Sequence, residues 1–239
     1  MISLFRRAPI VSDDMGGWIL DSFDWVMQRT EAGQWRKSTP LVLPTKQFFD
    51  APAGDDVATA TAIGQNIMAL LGLETLPIRF EPLAALPDEI AHEYGKTSEV
   101  AGQYYHDPHA PLITYNPRLL RQPASFINTM THELMHAHLA NVVDEIPGGA
   151  EAHELATDLH CITHGFGIFQ LAGAEDAGWS GYMSQASRAF ALAVFLQLTG
   201  KPVTAALPHL PPRCAKLLKH AAKQCKRDWQ DDLEPLMRG

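Results

Sequence analysis

Apolar positions recur at helical spacing over most of this chain. From Trp18 to Gln28, the residues Trp18, Phe23, Trp25 and Val26 mark one face of a short amphipathic helix. Asp55 or Asp56 can cap a helix that runs to Leu71, where Gly72 stops it. Pro123 opens a longer helix whose pattern persists to about Val143, until the turn Pro147-Gly148-Gly149 ends it. A second long helix is predicted from Ala150 to about Leu171, and another from about Tyr182 to Leu198. Extended segments are few. Leu41-Val42-Leu43-Pro44 reads as one, Ile78-Arg79-Phe80 as a strand, and Gly102–Tyr105 with Leu112–Tyr115 as a hairpin turning at Asp107-Pro108. Asn116-Pro117 marks a further helix start, and a Pro-rich linker (Pro208, Pro211, Pro212) precedes a closing amphipathic helix. The elements predict an α+β fold, mainly helical, with a small antiparallel sheet.

The length of 239 residues suits a single domain with a substantial core. It divides into a helical and strand part (1–99), a central part (100–205) and a C-terminal basic helix (206–239). The net charge of −8 argues against broad binding to a phosphate backbone, so no nucleic-acid partner is expected. Cys161, Cys214 and Cys225 form no C-x-x-C pair and are odd in number, which suits a reducing compartment. Residues Met1 to Arg7 lack the apolar core of a secretory signal, and Ala189 to Leu198 is too short to span a bilayer. A cytoplasmic protein with no membrane partner is expected. The closing helix carries Arg213, Lys216, Lys219, Lys223, Lys226 and Arg227 around Leu217, Leu218, Ala221 and Cys225. That pattern describes a docked helix with a solvated basic face.

Chemistry concentrates on His132-Glu133-Leu134-Met135-His136. At about 100° per residue, His136 lies roughly 40° and Glu133 roughly 100° from His132. Ile127, Met130, Leu134, Ala137 and Asn141 lie opposite, at about 140–220°. One face therefore offers two imidazoles to a single metal ion, and the other faces the core, as a helix lining a cleft requires. His138 falls on another face and reads as an ordinary histidine. A catalytic metal site needs a third protein ligand and one open position. Leu139 and Val142 occupy the positions where the extension H-E-x-x-H-x-x-G-x-x-H would need Gly and His. The third ligand must come from elsewhere, and the next helix offers Glu151, His153, Glu154, Asp158, His160 and His164. If its apolar stripe (Leu155, Leu159, Ile162, Phe166) packs on the first helix, Glu154 can face both histidines. Asp158 would then sit one turn along, able to accept the outward N–H of a ligand histidine. Glu151 stays open as an alternative, because helix phase after Gly148-Gly149 is uncertain.

His132-Glu133-Leu134-Met135-His136 followed by Glu154-Leu155-Ala156-Thr157-Asp158 resembles the gluzincin group of zinc peptidases, which pair H-E-x-x-H with E-x-x-x-D on consecutive helices. The resemblance covers about residues 112–171, and the surrounding sequence is similar to bacterial H-E-x-x-H proteins with no established activity. It implies a zincin-like domain with the metal between two consecutive helices. It implies Zn2+ held by His132, His136 and Glu154, with Glu133 as general base and Asp158 orienting a ligand. It also places Leu112–Tyr115 at the edge of the cleft, where a peptide or protein substrate could add as a strand.

The chemistry implied is metallopeptidase hydrolysis by a zinc-activated water. An oxyanion donor is then expected, with Tyr182, His160 and His164 as candidates. The pair His160 and His164 reads first as a polar helix flank, with a second metal site as the alternative. Cys161, on the ligand face, reads as a modulating thiol or a buried structural cysteine. The competing reading is a zinc-binding regulatory or partner-binding module that retains the site without proteolysis. Oligomeric state is not encoded in these patterns.

Overall fold

The computed structural model describes residues 8–51, 54–83, 101–107, 109–176 and 181–238. The leader reading of Met1–Arg7, the stretch 84–99 of the N-terminal part and Pro108 of the hairpin turn lie outside them.

Helix α1 (Asp13–Thr30) begins earlier than its apolar face suggests. Ser12 caps it, accepting from the Met15 N–H at 3.3 Å, and Asp13 and Asp14 occupy the first turn, where the helix dipole favours anions. A short α2 (Ala32–Ser38) follows, which the hydrophobic pattern does not announce. Helix α3 (Val57–Leu71) has the expected ends: Asp56 accepts from the Thr59 N–H at 2.8 Å, and Gly72 turns left-handed at φ 69°.

Three strands form one sheet in the order β1 (Arg79–Pro82), β3 (Leu112–Tyr115), β2 (Gly102–Tyr105). The β2–β3 pair is antiparallel, with Gly102 opposite Tyr115 and Tyr105 opposite Leu112. The β1–β3 pair is parallel, so the sheet is mixed and not purely antiparallel as expected. A tight connection forces β2 and β3 to be antiparallel, whereas β1 arrives from α3, far off in sequence, with its direction unconstrained. A second correction follows. Strand β3 is central, with Ile113 and Tyr115 fully buried, so β2 forms the sheet edge.

After a 3₁₀ segment (Pro117–Arg121), α4 (Pro123–Leu139) crosses beneath the sheet. It ends at Leu139, short of the expected Val143, and buries Ile127, Met130 and Leu134 of the predicted stripe, with Phe126 beside them, whereas Ala137 is only half-buried and Asn141 lies exposed beyond its end. The turn leading back is held from outside: the Trp18 indole donates to the Pro147 carbonyl at 2.9 Å. Gly148 (φ 92°) and Gly149 (φ 60°) take conformations that other residues resist.

The second long helix is not continuous. A 3₁₀ turn (Gly149–Ala152) leads into α5 (His153–Cys161), a π-type turn occupies Ile162–Phe166, and α6 (Gly167–Asp176) resumes. At the break, Gly165 has φ 94°. The break frees carbonyls that the N-terminal segment takes: Trp35 Nε1 donates to Thr163 O at 3.2 Å, and Val42 N to Gly165 O at 3.0 Å. The predicted extended segment Leu41–Pro44 is therefore a strap on this break and not a strand.

Helix α7 (Gln185–Leu198) starts at a Ser184 cap and is buried throughout Ala189–Leu196. This explains the most hydrophobic stretch of the chain: α7 is the central core helix. Among the described residues no single helix is long and apolar enough to cross a membrane. Helix α8 (Pro212–Asp228) lies on α7 through Cys214, Leu218, Ala221 and Cys225, with its six basic residues exposed. Helix α9 (Gln230–Arg238) completes the fold and buries Leu233. One hydrophobic cluster is built around α1, α7 and α8, and another around α3, the sheet and α4; Trp18 and Trp25 pack against both.

A Cβ added at Gly165 would lie 2.0 Å from the Pro40 carbonyl oxygen, at a φ that L-residues disfavour. Gly165→Ala is expected to cost at least about 2 kcal/mol of stability in urea unfolding. A change below about 0.5 kcal/mol would mean that the strap is loosely held.

Candidate metal centre

Helices α4 and α5 run antiparallel, which sets His132 against Asp158 and His136 against His153 and Glu154. The Nε2 atoms of His132 and His136 lie 3.3 and 3.5 Å from Glu154 Oε2. Three ligand atoms thus fall within 4.8 Å of one another, a group that could hold a metal ion. Two imidazoles and one carboxylate form a donor set that suits zinc and leaves a position open. Glu151 lies exposed in the 3₁₀ turn ahead of α5 and outside this group.

Each imidazole is oriented from behind. His132 Nδ1–H donates to Asp158 Oδ1 at 3.0 Å. The other oxygen of Asp158 accepts from the Tyr182 N–H at 2.7 Å, the Met183 N–H at 2.9 Å and Arg188 at 2.8 Å. Asp158 and Arg188 are both almost wholly buried. Burial disfavours the Asp158 charge, but the bond from His132 and the positive Arg188 outweigh it and hold the carboxyl down at about 2. For His132, burial opposes a proton, yet Asp158 and Glu154 raise it to about 10. His136 is pushed down to about 4 by burial and by the neighbouring His132 charge. Its Nδ1 faces His153 Nε2 at 3.3 Å, with the Thr157 hydroxyl oxygen at 3.5 Å. Thr157 spends its own proton on the His153 carbonyl, at 2.8 Å, so its oxygen is left to accept.

Glu133 lies almost buried beside the two histidines. Burial raises its carboxyl; the His132 charge and the Tyr104 backbone N–H pull the other way. That N–H points off the outer edge of β2, toward α4. Gly102 makes the approach possible, since a Cβ there would lie 2.8 Å from Thr129 and 3.1 Å from Glu133. The cleft has a volume of about 840 Å³, with β2 as one wall, α4 as floor, and Glu154 with Tyr182 opposite.

The sequence-predicted donors separate cleanly. Tyr182 lines the cleft, 62% exposed, with its ring lying parallel to that of His132 at 6.3 Å. Tyr104 does the same for His136 on the β2 side, at 6.4 Å. His160 and His164 are not among the residues lining the cleft. They turn inward where the helix breaks, His160 against Trp25 and His164 against His138. Burial pushes both down to about 3. They therefore cannot serve as oxyanion donors, and they join no metal-holding group among the described residues. Cys161 is also fully buried, and burial pushes its thiol well up, so it is a structural cysteine.

Sequence reasoning misses Arg188, and it offers His153 on the second helix without pairing it to His136. A single arginine ahead of an otherwise apolar helix was the available signal for Arg188, because a buried guanidinium requires a carboxylate. His153 directly precedes Glu154, but only the antiparallel crossing shows that it reaches His136.

Comparison with protein-family models, curated proteins and solved structures finds no match for this chain.

Because His132 is raised to about 10, a metal must displace its proton at neutral pH. Apparent zinc affinity is expected to rise about tenfold per pH unit from pH 6.5 to 9. Competition titration checks this, and a flat profile would mean that His132 is not held protonated before the metal arrives. In the same assay Glu154→Ala should lose zinc, whereas Glu151→Ala should keep it.

Proposed function

We propose that the protein is a zinc-dependent metallopeptidase of gluzincin type, acting on peptide or protein substrates. The observation that carries this reading is the convergence of His132 Nε2, His136 Nε2 and Glu154 Oε2 in a cleft that also holds Glu133. The donor set fits zinc, with His132, His136 and Glu154 as its holders. Zinc bound there supplies Lewis acidity, which polarises a substrate carbonyl and makes water acidic near neutral pH.

The residues of the chain do the rest. Glu133 takes the proton of the attacking water and passes it to the leaving amine. Burial brings its carboxyl toward working pH, which helps a group that must both accept and donate. Asp158 keeps the His132 proton on Nδ1, leaving Nε2 free for the metal. Tyr182 is the candidate donor to the developing oxyanion. The negative charge of Glu154 raises its phenol, so it stays protonated.

Substrate would align along β2 and not along β3, both of whose sides are already paired. The outward-facing positions of β2 are Gly102 and Tyr104, because Ala101 O is committed to the Asn116 N–H. The three cysteines are free and buried, which suits a reducing, cytoplasmic setting.

Glu133→Gln should lower peptide hydrolysis by about 10²–10⁴-fold while zinc stays near one per chain. Elemental analysis beside a fluorogenic peptide assay measures both. Wild-type rates in the variant would remove Glu133 from the reaction. A zinc-loaded wild type that cleaves no peptide would favour a zinc-binding partner module.

A further inference from the structure

The cleft continues past the metal donors in both directions. One helical turn before His132 it is lined by Asn128 and Thr129, and one turn after His136 by Ala140, with Val143 beyond. Asn128 and Ala140 are separated by roughly 18 Å along the helix axis. That distance holds about five residues of extended chain at roughly 3.3 Å each. The outer edge of β2 runs beside the same floor, and the donor group sits between the two ends and not at either of them.

The two ends differ in chemistry. Ala140 and Val143 are apolar. At the other end the lining is polar: Asn128 is 7% exposed and Thr129 beside it 9%. The Asn128 carbonyl oxygen is itself shut off from the cleft, with no hydrogen-bond partner among the described residues, and replacing such a group with an apolar isostere is normally not costly.

A terminus-specific enzyme also needs a charge to grip the terminal amine or carboxylate. Among the described residues, the carboxylates lining the cleft are Glu133, Glu154 and Asp158. Each already has partners: the Tyr104 N–H for Glu133, the two histidines for Glu154, and His132 with Arg188 for Asp158. No lysine or arginine is among the described lining residues.

We infer that the substrate is an internal, extended stretch of polypeptide, cut as an endopeptidase cuts. On one side of the cleavage point a polar, hydrogen-bonding side chain meets Asn128 and Thr129; on the other, an apolar one lies toward Ala140 and Val143. This rests on the metallopeptidase reading above.

The test uses a decapeptide library in two forms, free-ended and blocked by N-acetyl and C-amide groups. Zinc-loaded full-length protein acts on both, and mass spectrometry locates the cuts. Interior cleavage is expected, with blocked and free peptides cut within about threefold of each other. Ser, Thr, Asn or Gln should be favoured about tenfold over Val or Leu at one position. Asn128→Leu should abolish that preference with zinc content unchanged and thermal stability equal or higher. Release of one or two residues from free ends only would overturn the inference and leave the peptidase reading standing. An unchanged preference in Asn128→Leu would remove Asn128 from substrate contact. Failure to cut either library would overturn both the inference and the reading beneath it.

Discussion

A single buried carboxylate organises the structure around the cleft. Asp158 is nearly excluded from water, yet it is charged, and four donors from three parts of the chain make that tolerable. It orients His132 on α4, fixes the backbone of Tyr182 and Met183, and neutralises Arg188 at the start of the central core helix. Gly181 exists at this crossing because a Cβ there would collide with Arg188, at 2.0 Å, and approach Asp158, at 2.9 Å. Removing one partner from such a buried pair typically costs about 3–5 kcal/mol. The same group that sets a ligand's tautomer therefore also joins the two hydrophobic clusters. Site geometry and fold stability are coupled through one side chain.

The two imidazoles are supported unequally. His132 is backed by a carboxylate with a buried counter-charge, His136 by the His153 imidazole and a hydroxyl. One imidazole is therefore raised and the other lowered, although both offer Nε2 to the same carboxylate of Glu154. Around this unequal pair, two tyrosines lie parallel to the rings from opposite walls. The walls themselves differ: one is a short edge strand, the other a loop pinned by Asp158.

Much of this was legible in the sequence wherever the determining interaction is local. The cap at Asp56, the stop at Gly72 and the shared face of His132 and His136 depend on residues within four positions of one another. The core stripe of α4 and the basic outer face of α8 follow from helical period alone. What stayed hidden depends on partners distant in sequence. The π-type turn at Gly165 exists because Trp35 and Val42 take the carbonyls it frees. The parallel pairing of β1 follows from packing, and it moved the cleft edge from Leu112–Tyr115 to Gly102–Tyr105. His160 and His164 fall on a polar flank of the predicted helix, which left them open as oxyanion donors. The break just beyond them and the Trp25 ring place them in the interior instead.

The metal-site residues all lie on two adjacent helices, and the longest span among them, His132 to Asp158, is 26 residues. Closing so short a loop costs little chain entropy compared with bringing in Arg188 or the N-terminal strap. This helical hairpin is therefore held by short-range contacts, while the guanidinium that steadies Asp158 joins it from 30 residues further along the chain.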